Sequence, residues 1–152
     1  MKTFVKTLPL FLIFLLSCSN NPEPIQYGTD ACHFCKMNIV DKTHSAQAVS
    51  SKGKQFKYDA IECMINDINN NQNTDMAIIL VANYLNAGEM LNAENAHYII
   101  SPNIPSPMGG NISATNSKAA VEKLLEEHSG DLFTWDALKN KNKKSSDQHS
   151  NH

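Results

Sequence analysis

Three sulfur-containing side chains stand within six consecutive residues, in the segment Cys32-His33-Phe34-Cys35-Lys36-Met37. Thiolate and thioether groups set this close favour a soft metal ion, and the pairing favours Cu(I) over Zn(II), which rarely takes methionine as a ligand. A fold that uses the segment must direct these sulfur atoms at one point. The segment therefore predicts a Cu(I) site with Cys32, Cys35 and Met37 as candidate ligands.

Other uses of a Cys-x-x-Cys pair fit this sequence less well. Attachment of c-type haem needs a histidine directly after the second cysteine, where this chain has Lys36. A thioredoxin-like pair begins a helix after a strand, whereas this pair precedes residues 38–40, which read as extended. A structural zinc site usually needs two such pairs, and one is present. A redox pair and an inert disulfide remain open as alternatives.

The N-terminal residues have the layout of an export signal. A basic start is followed by an apolar run over residues 7–16, about half of the roughly 20 residues that span a bilayer. The ending Leu15-Leu16-Ser17-Cys18 resembles a bacterial lipobox, with cleavage elsewhere to give a soluble product as the alternative. We expect a lipoprotein signal peptide over 1–17, then a lipidated Cys18 and flexible tether over 18–29. The apolar-free residues 139–152 predict a disordered polar tail.

The 135 residues that remain after the signal are enough for one domain only, over residues 30–138, and their composition argues against several functions. All 13 basic residues are lysine, and removal of the signal leaves 11 against 15 acidic residues, a formal charge of −4. Phosphate recognition usually relies on a positive patch with arginine, so nucleic acid is not expected as a partner. No serine–histidine–carboxylate set, phosphate-binding glycine loop or pair of catalytic carboxylates can be identified, and no enzymatic activity is predicted.

The pattern of apolar residues predicts two similar halves. In the first half, a hairpin of residues 45–51 and 54–58 precedes an amphipathic helix with a capping box at Asp59, and a strand over 76–81 follows. In the second half, strands over 96–100 and 111–115 precede a helix capped by Ser117, and residues 132–138 pack back on the body. The prediction is an α+β fold, a single small domain of two strand-strand-helix-strand halves.

Further site residues follow from less specific signals. Met108 lies in a loop of prolines and glycines, either as a ligand from the second half or as a cover for the core. Cys63 lies opposite the apolar stripe of its helix, where it either packs under a loop or contributes to the metal site. The structural role is favoured because the first turn of a docked helix is often covered. His33 is a weaker candidate because an extended segment would point it away from Cys32. His97 is equally weak because its strand could face either way.

Several motifs in this chain also match the pattern of a known family. In chain order they are Asp30-Ala-Cys-His-Phe-Cys-Lys-Met37, Ala46-Gln47, Phe56-Lys-Tyr-Asp-Ala-Ile-Glu-Cys-Met64, Ala96-His-Tyr98, Pro107-Met-Gly109 and Trp135. With the lipobox before them, they resemble the NosL family of copper-binding lipoproteins that serve maturation of nitrous-oxide reductase. The resemblance implies an α+β fold of two halves and one Cu(I), with Cys32, Cys35, Met37 and Met108 as candidate ligands.

The functional expectation combines the resemblance with the lipobox. It is a lipid-anchored, periplasm-facing Cu(I) metallochaperone, with the outer membrane as the expected location. The resemblance implies nitrous-oxide reductase and its membrane-bound maturation machinery as partners, and acylated Cys18 implies the lipid membrane. The alternative from another class is an extracytoplasmic thiol-disulfide oxidoreductase that uses Cys32 and Cys35.

Overall fold

The computed structural model describes residues 20–71 and 74–141. The predicted signal peptide, Cys18 and residues 142–152 of the predicted tail lie outside the described residues, so these predictions stay predictions. Within the described ranges, no helix combines the length and apolar character needed to cross a membrane.

The first half is built on a four-stranded antiparallel sheet. Its elements are β1 Ala46–Ser50, β2 Gln55–Tyr58, α1 Ile61–Asn70, β3 Met76–Ala82 and β4 Met90–Asn92. The strand order is β2-β1-β3-β4. Gly53 makes the β1–β2 turn because its φ of +80° is costly for other residues, and its N–H donates to the Ser50 carbonyl at 2.8 Å. The predicted hairpin, helix and interior strand are confirmed.

The second half repeats this topology in a three-stranded antiparallel sheet. Its elements are β5 His97–Ile100, β6 Ile112–Thr115, α2 Lys118–His128 and β7 Asp131–Phe133. The order β6-β5-β7 matches β2-β1-β3 of the first half, with the first strand of each unit in the middle. A further helical segment, α3, covers residues 135–141. The predicted α+β fold of two strand-strand-helix-strand halves is confirmed, with β4 as an added edge strand.

One large core joins the two halves. It buries aromatic and aliphatic side chains from both sheets, including Tyr58, Tyr98 and Trp135, and it also contains Cys32 and Cys63. A smaller core lies under α2 and is formed by Ile99, Ile104, Val121 and Leu124. Because side chains alternate along a strand, β5 places Tyr98 in the large core and Ile99 in the small one. The cysteines therefore belong to the layer between the halves.

The two main helices begin differently from each other. Ser117 caps α2 as predicted, since its hydroxyl oxygen accepts a hydrogen bond from the Ala120 N–H at 3.3 Å. The capping box predicted at Asp59 is wrong. Ala60 is the N-cap of α1 and no side chain caps the helix, because the Asp59 carboxylate instead accepts a hydrogen bond from the Val40 N–H at 3.4 Å.

The described part of the expected tether lies against the body. Side chains of the hairpin donate to its backbone carbonyls, with Gln47 bonded to Glu23 at 2.6 Å and Lys57 to Pro24 at 3.0 Å. Tyr27 also packs on the large core. Residues 20–29 therefore make hydrogen bonds to the hairpin that their polar, proline-containing sequence does not reveal, and the flexibility of the tether stays a prediction.

The described start of the expected tail is helical. Residues 139–141 continue α3, and the Lys139 carbonyl accepts a hydrogen bond from the Asn69 side chain at 3.1 Å. Trp135 and Leu138 anchor this helix, and both are buried. Packing of these two side chains extends helical structure past the last apolar residue of the sequence.

Candidate metal site

The Cys-x-x-Cys segment forms a tight loop before β1. An isolated bridge pairs Ala31 with Asn38, and inside it the Cys32 N–H donates to the Met37 carbonyl at 2.7 Å. The Lys36 N–H donates back to the Cys32 carbonyl at 3.0 Å, and Lys36 takes a φ of +67°. This turn brings the side chains of Cys32 and Cys35 to the same side of the loop.

Hydrogen bonds to β2 hold this loop in place. The His33 N–H donates to the Lys57 carbonyl at 2.8 Å. The Lys57 ammonium binds the Asp30 carboxylate at 2.7 Å, and this hydrogen bond, with a second from the Gln26 N–H, lowers the pKa of Asp30. The loop is thereby fixed on the hairpin that leads directly into α1.

Three thiols meet where the loop covers the first turn of α1. The sulfur atoms of Cys32, Cys35 and Cys63 all lie within 4.8 Å of one another. Two sulfur ligands of one ion, each bonded at about 2.3 Å, stand at most about 4.6 Å apart, so the observed spacing needs little closure to hold a metal. Cys32 and Cys63 are buried, and Cys35 is half-buried.

The cluster stabilises one negative charge in the absence of a metal. A hydrogen bond from the Cys63 thiol lowers the pKa of Cys32 to about 4, and backbone N–H groups of Asp59 and Cys35 add to this effect. The same interaction raises the pKa of Cys63, and burial raises the pKa of Cys35. Further deprotonation is therefore opposed by the charge already present, and a bound cation would offset that opposition.

Cys63 was not an obvious core residue from the helix periodicity, yet it is buried, and whether it serves as a metal ligand stays a prediction. Its side chain is only 1% exposed, and its thiol lies in the cluster. The periodicity correctly placed it away from Ile61 and Met64, but the Cys-x-x-Cys loop covers that side of α1. The unpaired third cysteine was the available sequence signal for this arrangement.

The backbone of Met37 contributes to the loop, while its side chain points outward. Its N–H donates a hydrogen bond to the Cys35 sulfur, and its side chain is 56% exposed. The extended backbone assumed between Cys35 and Met37 is wrong, because Lys36 adopts a left-handed conformation. The role of Met37 as a ligand stays a prediction.

Met108 lies on a loop that is fastened to α1. The Gly110 N–H and the Ser106 hydroxyl both donate to Oε1 of Glu62, the residue before Cys63. The Met108 side chain is 41% exposed. The structure thus brings the Met108 loop to the helix turn that carries the third thiol, and its role as a ligand stays a prediction.

The two weaker histidine candidates lie outside the thiol cluster. The His33 ring packs edge-on against Phe56, with 4.9 Å between centroids, and its Nε2 lies 3.9 Å from an Asp67 carboxylate oxygen. His97 shares the β5 face of Ile99, which belongs to the small core under α2. The described geometry does not bring either imidazole into the thiol cluster.

A buried serine–histidine–carboxylate set was missed from the sequence. His44 bonds the Asp41 carboxylate through Nδ1 at 2.9 Å and the Ser113 hydroxyl through Nε2 at 3.1 Å. Ser113 is far away in the sequence, so no local spacing signals the arrangement. The Ser113 side chain is fully buried, so no substrate could reach its hydroxyl group. The set instead connects the segment before β1 to β6 of the other half.

Comparisons with known proteins agree with the fold. The crystal structure of the copper chaperone NosL from Shewanella denitrificans superposes with a TM-score of 0.68 at 17% sequence identity, covering 78% of this chain and 95% of that one. A search of curated proteins found no match. The family model for NosL matches residues 25–142, which include all three clustered cysteines and Met108. The chain belongs to the NosL family.

Proposed function

We propose that this protein is a lipid-anchored Cu(I) metallochaperone that delivers copper for assembly of nitrous-oxide reductase. The single observation that carries the proposal is the convergence of three thiols within 4.8 Å, at the junction of a loop and a helix start. Thiolates are the ligands that Cu(I) prefers. The copper chaperone NosL from Shewanella denitrificans, which has the same fold, supports the choice of metal.

The site has an accessible side, which suits transfer better than storage. Cys32 and Cys63 are buried, whereas Cys35 is half-buried and the flanking Phe34 and Met37 are exposed. An acceptor's thiolate, thioether or imidazole can enter from this side before a donor thiol leaves. Transfer through such an exchange needs no catalytic turnover, and the proposal is of a carrier protein and not an enzyme.

Met37 and Met108 are the proposed thioether ligands. Met37 follows Cys35 in the same loop, and Met108 lies on the loop bonded to Glu62 beside Cys63. Both side chains are partly exposed, at 56% and 41%. A weak, exposed thioether is the ligand that an incoming partner can displace first, so these residues fit the accessible side of the site.

Membrane anchoring and the partner are part of the proposal. Acylation of Cys18 would restrict the protein to a periplasm-facing membrane surface, with the outer membrane as the expected location, and raise its effective concentration near a membrane-bound partner. The proposed recipients are nitrous-oxide reductase and its maturation machinery. Support comes from the lipobox in the sequence and from membership of the NosL family.

The test is an anaerobic titration of the full chain with Cu(I), followed by X-ray absorption to count sulfur and nitrogen neighbours. We expect one tightly bound Cu(I) with sulfur neighbours, and weaker binding in Cys35→Ser and Met37→Leu. Absence of stoichiometric binding, or unchanged binding in both variants, would reject the proposal. The anchor is tested separately by growth with a radiolabelled fatty acid. The wild type should incorporate the label, and Cys18→Ser should not.

A thiol-disulfide oxidoreductase is the second candidate. It is favoured by the lowered pKa of Cys32, about 4, because a stable thiolate is also the mark of a reactive cysteine. This candidate predicts disulfide exchange with a small dithiol that survives replacement of Met37 and Met108. If the wild type binds Cu(I) and shows no disulfide exchange, this candidate is rejected.

A further inference from the structure

Glu62 stands between the thiol cluster and the Met108 loop. It lies in the first turn of α1, directly before Cys63, and its side chain is only 5% exposed. Two groups of the second half, the Ser106 hydroxyl and the Gly110 N–H, donate to its Oε1. A buried carboxyl group thus links the helix turn of one half to the loop of the other.

The loop is shaped to receive this carboxyl group. The Ser106 hydroxyl oxygen also accepts from the Asn111 N–H at 2.8 Å, and the Gly109 N–H donates to the Ser106 carbonyl at 3.1 Å. A Cβ atom on Gly110 would lie 2.8 Å from Cδ of Glu62, closer than carbon atoms approach. Only glycine at this position allows the loop to contact the carboxyl group.

The contact leaves Glu62 incompletely satisfied. Its Oε2 is buried and has no hydrogen-bond partner among the described residues. Burial of an unpaired polar atom reduces stability, and such atoms are rare in native structures, so this one calls for an explanation such as a functional constraint. An apolar residue here would avoid this cost but could not bond the loop. The buried carboxyl group therefore holds the Met108 loop in place at some cost to the stability of the fold.

We propose that Glu62 is a positioning residue that fixes the Met108 thioether beside the thiol cluster. This inference rests on the proposed function, and it adds a residue that binds no metal itself. Without the two hydrogen bonds to Glu62, the loop over residues 106–110 loses its attachment to α1. Met108 then samples positions away from the thiols, and the metal loses a ligand or binds it less tightly.

The first experiment needs no metal. Amide hydrogen exchange of the metal-free full chain should be faster over residues 106–110 in Glu62→Ala than in the wild type, with α2 unchanged. Glu62→Gln should stay close to the wild type, because its amide oxygen accepts the same two hydrogen bonds. Ser106→Ala, which leaves α1 intact, should also speed exchange in the loop. Unchanged loop exchange in Glu62→Ala and Ser106→Ala would overturn the proposal.

The second experiment measures whether Glu62 acts through Met108. We expect Glu62→Ala to weaken Cu(I) binding about tenfold, a typical effect of removing a group that orients a ligand. The same substitution in a Met108→Leu background should have no further effect, whereas a general structural role would give additive losses. Additive losses would overturn the proposal.

One control variant and the wild-type titration separate the possible failures. Ser117→Ala removes the cap of α2, whose hydrogen bond to the Ala120 N–H involves neither Glu62 nor the loop over residues 106–110, and it should change neither loop exchange nor Cu(I) affinity. If the wild type takes up no Cu(I), the proposed function fails, and the positioning of Met108 for a metal fails with it, even if exchange shows that Glu62 holds the loop. If the wild type binds Cu(I) and the double-mutant cycle is additive, only the positioning role is overturned.

Discussion

The two halves share one topology but use their helix starts differently. In the second half, Ser117 caps α2 with a side-chain hydrogen bond. In the first half, no side chain caps α1, and the first turn carries Glu62 and Cys63, which serve the loop contact and the thiol cluster. The comparison shows that the same architecture can place stabilising residues at one helix start and site residues at the other.

The largest expected effect concerns the charge of the thiol cluster. This cluster belongs to the first half, and the second half contains no cysteine. The pKa of Cys32 is about 4, against an ordinary value of 9.0, so one thiolate should be present in the metal-free protein between these pH values. Thiolate absorbance followed as a function of pH measures it, and Cys32→Ser should remove it. A wild type that forms no thiolate until the pH approaches 9.0 would contradict the assigned charge.

The same pKa values predict a pH dependence of stability. Between pH 4 and 9.0 the unfolded chain binds a proton on Cys32 that the folded protein does not, so this contribution to the unfolding free energy rises with pH and is lost on acidification. Above 9.0, Cys35 and Cys63 keep protons in the folded state that the unfolded chain loses, so stability falls. Denaturation of the metal-free wild type and of Cys32→Ser measures the difference.

Removal of the third thiol should have the next largest effect. We expect Cys63→Ser to weaken Cu(I) binding by about 100-fold, or about 2.8 kcal/mol, because a hydroxyl is a poor ligand for a soft ion. Competition with a chromogenic Cu(I) chelator measures the affinity. Met64→Leu is the matched control, since it alters the adjacent buried residue without changing the cluster. Equal affinities for Cys63→Ser and the wild type would show that Cys63 is not a ligand and that the loop alone supplies the thiol ligands.

Two buried tyrosines, one in each half, allow a comparison of how much a hydroxyl hydrogen bond contributes to the unfolding free energy. Tyr58 donates its hydroxyl to the Asp67 carboxylate at 2.7 Å, whereas Tyr98 donates to the backbone carbonyl of Ala93 at 2.6 Å. Hydrogen bonds to charged groups are the stronger ones, so Tyr58→Phe should cost about 2 kcal/mol and Tyr98→Phe about 1 kcal/mol. Chemical denaturation of the metal-free proteins measures both, and the reverse order would contradict this reasoning.

The smallest effect is expected at the capped helix. Ser117→Ala should lower the unfolding free energy by about 1 kcal/mol, since it removes the side-chain acceptor for the Ala120 N–H. Cu(I) affinity should not change. A loss of affinity in this variant would show that helix stability in the second half is coupled to the site, and the contrast between the two helix starts would no longer hold.

Local sequence rules failed where tertiary contacts competed with them. Asp59 has the sequence context of a helix cap, but its carboxylate bonds Val40 in the loop that carries the cysteines. Lys36 interrupts an otherwise extended pattern because the loop must turn within four residues to bring Cys32 and Cys35 together. Both exceptions lie at the candidate site, where the loop geometry outweighs local preference.

The sequence by itself determined the fold class, the order of the main strands and helices apart from β4 and α3, and the sulfur-rich segment, because hydrophobic periodicity and residue spacing are local properties. Only the tertiary structure decided that Cys63 joins Cys32 and Cys35, and that Glu62 holds the Met108 loop. These contacts join residues more than 25 positions apart, across the boundary between loop and helix or between the halves. Their positions depend on how the packed elements meet, which no local pattern specifies.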